Sequence, residues 1–207
     1  MPTNDPTCGL TRRRLLAGLA CGFAAAAFAG PARAQAGPQA AALVTTLAAE
    51  LSTLVDSGKG EKAMYAGFEA ILVRYADMPA VAGSVLGPPW RAASAGQKQA
   101  FVAAFQSYLA RKYGAQFREY QNAKIAVKGT KDGGKAGTLV QTTVVRPGQD
   151  DIAVDWQVSA RSGSPRVVNL VIEGVSMLAN ERAEVGAMLE AARGDVDGLI
   201  AQLRGRS

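Results

Sequence analysis

Seven residues from Gly129 to Lys135 match the glycine and lysine spacing of a phosphate-binding loop. Such a loop needs a serine or threonine hydroxyl after the lysine to hold Mg²⁺, and here Ala136 follows instead. It must also join a strand to a helix, so that its backbone amides point at the phosphate. This segment joins two predicted strands. It therefore predicts a glycine-rich hairpin.

The tripeptide Gly174-Val175-Ser176 matches the start of the nucleophile elbow of hydrolases, but Leu178 stands where the second glycine is required. The chain has no histidine, which excludes Ser-His-Asp and Cys-His triads and any metal site built on histidine. Its only cysteines are Cys8 and Cys21, which excludes a disulfide framework and a four-cysteine zinc site. Ser176 is predicted to be a helix cap or a turn residue.

Four acids near the predicted strands could be read as a metal site or an acid/base cluster: Asp150, Asp151, Asp155 and Glu173. The first two fall in a turn and Asp155 falls on the polar side of a strand, which favours a solvated surface. Glu173 lies at a strand end and is the one acid of the four that we do not interpret as ordinary solvated surface. With no catalytic set left, we expect a protein that is not an enzyme and that uses no metal and no cofactor.

The first 34 residues have the features of a cleaved export signal. Thr11-Arg12-Arg13-Arg14-Leu15-Leu16 is a twin-arginine pattern, an alanine-rich run follows, and Pro31-Ala32-Arg33-Ala34 offers a cleavage site. A retained membrane anchor is the alternative, but the apolar run 15–29 is shorter than the roughly 20 residues that a spanning helix needs. A lipoprotein at Cys21 is disfavoured because Gly18 stands where leucine is expected.

Removal of residues 1–34 takes away four arginines and one aspartate, so the net charge falls from +6 to +3. This mild charge suits anionic membrane surfaces or acidic partners and does not predict a nucleic-acid partner. Residues 35–42 are a low-complexity stretch that we expect to be flexible. Residues 43–207, rich in apolar residues and low in charge, form one domain.

The next part of the chain has the apolar periodicity of helices. Apolar residues recur at helical spacing over 43–55 and 64–75, and Asp77 with Pro79 predicts the start of a third helix. Ser94 and Gln97 fit a capping box for a long helix over about 95–120. This helix carries six of the thirteen aromatic residues: Phe101, Phe105, Tyr108, Tyr113, Phe117 and Tyr120.

From Lys124 onward the apolar period changes to two, which is typical of strands. Ile152, Val154, Trp156 and Val158 alternate with smaller or polar residues, and further strands are predicted from 124, at 139–145 and at 167–173. Two helices, 179–193 and 195–205, close the chain. The sequence predicts an α+β fold in which a helical layer packs on a four-stranded, mainly antiparallel sheet, with an apolar pocket between them.

Four segments, in order along the chain, resemble the MlaC family of periplasmic phospholipid-binding proteins, also called toluene-tolerance proteins. The matching residues are Val85-Leu86-Gly87 with Trp90; Ser94 to Lys98 with Phe101, Phe105, Leu109 and Tyr113; Val171 to Met177; and Asp197 to Leu203. Two features differ from the family pattern. Asn169 stands where many relatives have an acid, and the export signal is of the twin-arginine type where the Sec type is common.

The resemblance implies a periplasmic carrier that binds the acyl chains of a phospholipid and leaves the headgroup outside. It implies two partners, an ABC transporter complex of the inner membrane and a lipoprotein complex of the outer membrane, and a role in outer-membrane lipid asymmetry. We expect the carrier to act as a monomer. Two alternatives stay open at this point: a carrier of another lipid of the hopanoid type, and an interaction module of the cell envelope with a filled core.

If the aromatic helix faces the inward residues of the strands, eight side chains are expected to form the wall of the lipid-binding pocket. They are Trp90, Phe101, Phe105, Tyr108, Val144, Trp156, Val158 and Val175.

Overall fold

The computed structural model describes residues 31–205. Residues 1–30, which hold most of the predicted export signal and both cysteines, lie outside the described residues. The helices are α1 (Pro31–Asp56), α2 (Glu61–Tyr75), α3 (Met78–Leu86), α4 (Pro88–Ala92), α5 (Ala95–Gln116), α6 (Met177–Ala191) and α7 (Val196–Gly205). The strands are β1 (Lys124–Asp132), β2 (Thr138–Val145), β3 (Ile152–Ser159), β4 (Arg166–Ile172) and β5 (Val175–Ser176).

Helix α1 includes residues 35–42, so the structure differs here from the flexible segment that we expected. The stretch holds four alanines, the best helix-forming residue, although Gly37 and Pro38 are both unfavourable inside a helix. Ala40 is also buried in the apolar core, which holds this turn of the helix against the rest of the domain.

Several predicted helix ends are confirmed by their capping hydrogen bonds. Asp77 accepts a hydrogen bond from the Ala80 amide at 3.1 Å at the start of α3. Ser94 and Gln97 form the reciprocal capping box of α5. Ser176 caps α6 by accepting from the Ala179 amide, the role predicted for it in place of a nucleophile.

The aromatic helix is shorter than predicted. Its α-helical part ends at Gln116, and Phe117–Tyr120 form a 3₁₀ turn. The apolar periodicity continues through this turn, because a 3₁₀ turn also places residues three apart on one side. The sequence pattern could therefore not locate the change.

The sheet is antiparallel with strand order β1-β2-β3-β4-β5, one strand more than predicted. The additional strand is only two residues long, and the turn Glu173–Gly174 connects it to β4. Both turn residues have positive φ, 50° and 80°, as a two-residue type I′ hairpin requires. Glutamate is uncommon at such a position, so the residues of this turn did not predict a hairpin.

Strand β3 shows the predicted alternation. Val154, Trp156 and Val158 are buried under the helices, while Ala153 and Asp155 lie on the other face. Each inward residue meets an apolar or hydroxyl partner on β2; Trp156, for example, lies opposite Val140.

Two apolar cores divide the domain. The sheet core joins the inward faces of α1 and α2 to β2, β3 and β4. The helical core is formed by α3, α5, α6 and α7. Helix α5 belongs to both, because Ala110 packs in the sheet core whereas Phe101, Phe105 and Tyr108 stack on one another in the helical core.

One buried polar contact ties β2 to β3 inside the sheet core. The Trp156 indole Nε1 donates to Thr142 Oγ1 at 3.0 Å, and that hydroxyl donates to the carbonyl of Val154 at 2.8 Å.

We expect Thr142→Val to lower the free energy of unfolding by about 1–3 kcal/mol, because it leaves the indole donor buried without a partner.

The measurement is urea unfolding followed by tryptophan fluorescence. Thr143→Val is the matched control, since Thr143 lies on the opposite face of the same strand. Equal losses in the two variants would contradict the assigned role of the Thr142 hydroxyl.

Candidate functional site

A cavity of about 270 Å³ lies between the sheet core and the helical core. Its wall is almost entirely apolar and is built by residues from α1, α2, α3, α5, α6 and four strands. Members from the first three helices are Leu51, Val55, Phe68, Leu72, Met78, Val81 and Val85. Members from α5 and its 3₁₀ extension are Phe105, Leu109, Tyr113, Gln116, Phe117 and Tyr120. The strands add Ile125, Val144, Ile152, Val154, Trp156, Val167, Leu170 and Ile172.

Of the eight side chains expected to form the pocket wall, the structure brings three to the cavity: Phe105, Val144 and Trp156. The first comes from α5 and the other two from the inward face of the sheet. The indole nitrogen of Trp156 is held by Thr142, which leaves the aromatic surface as the part that contributes to the wall.

The other five expected wall residues do not line the cavity. Phe101 and Tyr108 are buried in the helical core, and Trp90 packs edge-on against Phe101 there. Val158 is buried in the sheet core, near the β1–β2 end of the strands. Val175 lies on β5 and is about half exposed.

Phe101 and Tyr108 lie away from the cavity because the aromatic face of α5 splits between the two cores. Its first half packs among helices, whereas Tyr113, Phe117 and Tyr120 pack against the sheet core and reach the cavity. The signal that finds the cavity side is the i, i+4 series Phe105, Leu109, Tyr113 and Phe117, which follows one line along the helix. Phe68 of α2 supports this line, since its ring lies 4.8 Å from that of Phe117.

Asn169 is one of the few polar residues in the wall, and its amide is fully engaged. Its Oδ1 accepts from the backbone amide of Leu178 at 3.0 Å, and its Nδ2 donates to the Ser176 hydroxyl at 3.0 Å. The asparagine thus fixes the first turn of α6 against β4, and it does so where relatives are expected to carry an acid.

A charged cluster forms one edge of the cavity between α5 and α6. The Lys112 ammonium donates to Glu181 Oε1 at 2.6 Å and to Glu184 Oε2 at 2.5 Å. Tyr113 donates its hydroxyl hydrogen to the same Glu181 oxygen at 2.5 Å, and Tyr108 donates to Glu184 at 2.7 Å. The solvent exposure of the side chains increases across the cluster, from 4% for Glu181 to 27% for Lys112 and 37% for Glu184.

Burial and hydrogen bonding change the ionisation of this cluster. Burial lowers the pKa of Lys112, but its hydrogen bonds to Glu181 and Glu184 raise it by more, so the pKa lies above its ordinary value. Burial, followed by the hydrogen bond to Glu184, raises the pKa of Tyr108 to about 12. Burial and the Glu181 contact likewise raise the pKa of Tyr113. At neutral pH the lysine is therefore cationic and both phenols keep their protons.

Glu173, singled out in the sequence, has a structural contact on the sheet. Its carboxylate accepts a hydrogen bond from the Ala153 amide, and its own amide donates to the Ala153 carbonyl at 3.0 Å. Residues 31–205 contain no group of three or more acids placed to hold a metal ion. In the same range, the structure has no helix whose length and apolar character would let it span a bilayer.

These features define an α+β protein in which an apolar cavity, bordered by one charged cluster, lies between a helical layer and an antiparallel sheet. The chain belongs to the MlaC family, whose model, described as "MlaC protein", matches residues 42–205. The resemblance seen in the sequence is thereby confirmed.

The fold is similar to that of a phospholipid-binding protein from Ralstonia solanacearum, solved in complex with a phospholipid. The two chains are 22% identical and superpose with a TM-score of 0.69, over 80% of this chain and 94% of the other. The comparison confirms the predicted fold class.

The buried ion pair predicts a non-additive effect on stability. We expect Lys112→Met to lower the free energy of unfolding by about 3 kcal/mol, because it leaves the Glu181 carboxylate buried without its counter-ion. Adding Glu181→Met to that variant should restore most of the loss, since two apolar side chains then replace the pair.

Urea unfolding of the single and double variants measures the effect. Lys62→Met, on the exposed side of α2, is the control and should stay within about 0.5 kcal/mol of the parent. A double variant no more stable than Lys112→Met alone would show that the pair is not the source of the loss.

Proposed function

We propose that this chain is a periplasmic carrier that holds the acyl chains of a phospholipid in its cavity and moves the lipid between complexes of the two membranes. The observation that carries the proposal is the apolar cavity between helices and sheet in a member of the MlaC family. The Ralstonia solanacearum protein of similar fold, which holds a phospholipid, supports the choice of ligand.

The physical need for such a carrier lies in the acyl chains. Two sixteen-carbon tails contain roughly 30 methylenes, and their exposure costs about 0.8 kcal/mol each, on the order of 20 kcal/mol in total. A lipid therefore does not cross an aqueous compartment unaided at a useful rate. A protein that covers the tails removes most of this barrier while the headgroup can stay near water.

The cavity volume of about 270 Å³ is slightly below the usual range for ligand pockets, which is roughly 300–1,000 Å³. Loading a diacyl lipid therefore requires the sheet core and the helical core to move apart. Apolar walls allow this, because dispersion and hydrophobic contacts have no preferred direction and can re-form around the tails. Docking to the inner-membrane ABC transporter or the outer-membrane lipoprotein complex would supply the force that opens the cavity.

The direct test is a native mass spectrum of the exported protein, purified from the periplasm without detergent, followed by extraction of any released lipid. We expect a mass increment that matches a diacyl phospholipid. A hopanoid mass would assign the cavity to a different lipid. A mass without any increment, unchanged after incubation with phospholipid vesicles, would contradict the carrier and favour the interaction module.

A pair of neighbouring substitutions tests whether the lipid occupies the cavity described above. Val144 lines the cavity, whereas Val145 is the next residue of β2 and is 40% exposed on the other face. We expect Val144→Phe to reduce the lipid-bound fraction at least about fivefold, because the larger side chain fills part of the small cavity. Enlarging the cavity to restore the lost volume would force the surrounding side chains out of their preferred packing, which costs free energy. Val145→Phe introduces the same side chain and should leave the bound fraction unchanged.

The bound fraction is read from the native mass spectrum, and the circular dichroism of both variants checks the fold. Equal occupancy in the two variants would show that the lipid binds elsewhere on the protein.

We propose that residues 1–34 are an export signal that takes the carrier to the periplasm by the twin-arginine route, because they contain the twin-arginine pattern. We expect the double replacement Arg12→Lys with Arg13→Lys to leave the uncleaved precursor in the cytoplasm. Arg14→Lys is the control, because it keeps the arginine pair and should be exported normally. Cell fractionation and immunoblotting measure the distribution. Export of the double variant at the parent level would favour the Sec route.

A further inference from the structure

The cavity opens to solvent near the end of helix α5. Gln116, the last residue of that helix, is a member of the cavity wall and is also exposed, so it marks the mouth. Tyr120, in the 3₁₀ turn that follows, is a half-buried member of the same wall. On the sheet side, the wall includes Val144 and Ile152, which lie opposite each other where β2 ends and β3 begins.

Arg146 extends the inward face of β2 to this mouth. Val140, Thr142 and Val144 are buried on that face, and the alternation of the strand places Arg146, two residues further on, on the same side. Its guanidinium carbon lies over the ring of Tyr120, 5.6 Å from the ring centre. Arg146 therefore packs beside the cavity wall and just outside its apolar lining.

The Arg146 guanidinium is partly removed from water and has no counter-ion. Its side chain is half-buried, and within residues 31–205 it forms no ion pair with a carboxylate. The carboxylates of the same turn, those of Asp150 and Asp151, belong to exposed residues. A partly desolvated cation without a partner is unfavourable, and an anion bound beside it would remove part of that cost.

The guanidinium is held in place and keeps a donor for a ligand. Nη2 donates to the Asp150 carbonyl at 3.0 Å, and the Tyr120 ring supports one face of the group. The other amino group, Nη1, has no acceptor in the described part of the chain and, unlike the buried Nε, is in contact with solvent. A guanidinium fixed in this way loses little side-chain entropy when it binds, and its planar set of donors matches a phosphate group.

We propose that Arg146 binds the phosphate of the lipid headgroup at the cavity mouth. The inference rests on the proposed function, since it assumes that the acyl chains occupy the cavity. The chains would lie against Tyr120 and Val144, and the phosphate would meet the arginine just outside the pocket, where the headgroup stays near water. Because every glycerophospholipid carries this phosphate, the contact recognises the class of lipid and does not depend on the group attached beyond the phosphate.

The test compares two lipids that have the same acyl chains, only one of which has a phosphate. The exported protein, freed of bound lipid, is titrated with dioctanoylphosphatidylcholine and with dioctanoylglycerol, both short-chain lipids. Tryptophan fluorescence reports binding, because Trp156 lines the cavity. We expect Arg146→Met to raise the Kd of the phosphatidylcholine about tenfold, as for the loss of one hydrogen bond to a charged group, and to leave the Kd of the diacylglycerol within about twofold of the parent value.

Arg161→Met is the matched control. Arg161 is exposed in the turn between β3 and β4, at the opposite end of the sheet, and its guanidinium also donates to a backbone carbonyl, that of Lys135 at 2.7 Å. This variant should leave both dissociation constants within about twofold of the parent values. Circular dichroism checks the fold of both variants.

A measurement on the unmodified protein covers the case in which Arg146→Met folds poorly. Sodium chloride screens the contact between arginine and phosphate but not the apolar contacts, so it should weaken binding of the phosphatidylcholine relative to that of the diacylglycerol. An affinity ratio that salt leaves unchanged, or equal losses for the two lipids in a folded Arg146→Met variant, would overturn the inference while leaving the carrier function intact.

Inorganic phosphate separates a lipid headgroup from a free anion. If it binds the parent and not Arg146→Met, while both proteins bind the phosphatidylcholine equally, the arginine belongs to a free-phosphate site and the inference is overturned. If neither lipid binds the parent, the proposed function itself is wrong and the inference falls with it.

Discussion

Helix α5 buries side chains toward two different cores, and the cavity follows from this constraint. Phe101 and Phe105, both fully buried, belong to the helical core with α3, α6 and α7, whereas Ala110 belongs to the sheet core. The inward face of the sheet must be covered, because an exposed face of valine and tryptophan would be costly in water. The helices that cover the sheet also pack against one another in the helical core. The two cores do not meet completely, so a space is left between them. The volume between them is the cavity.

The polar contacts of the domain are placed so that this volume stays apolar yet bounded. Thr142 satisfies the Trp156 indole within the sheet, and Asn169 holds the first turn of α6 against β4. Lys112 and Glu181 close the α5–α6 side with a charged contact that no apolar pair would orient in the same way. Breaking such a buried pair is costly, because it leaves one charge buried without its partner.

A small cavity whose apolar wall side chains can rearrange suits a ligand whose size varies. Acyl chains differ in length and unsaturation, and an apolar wall without directional contacts can adapt to them.

Local signals in the chain were sufficient for most of the architecture. The capping residues Asp77, Ser94 and Ser176, the alternation in β3 and the family resemblance each depend on neighbours in sequence, and the structure confirms them. The two-residue strand β5 was not predicted, because its turn has a glutamate in a conformation that asparagine or glycine usually adopts.

The cavity wall, in contrast, was decided by tertiary structure. Helical periodicity shows that Phe101, Phe105 and Tyr113 share a face, but it does not show which partner each part of that face meets. Only the division into two cores sends Phe101 to the helices and Tyr113 to the cavity. The pairing of Lys112 with Glu181 joins residues 69 positions apart and left no mark in the local sequence. Contacts of that kind depend on how whole elements pack, and sequence spacing alone carries no information about them.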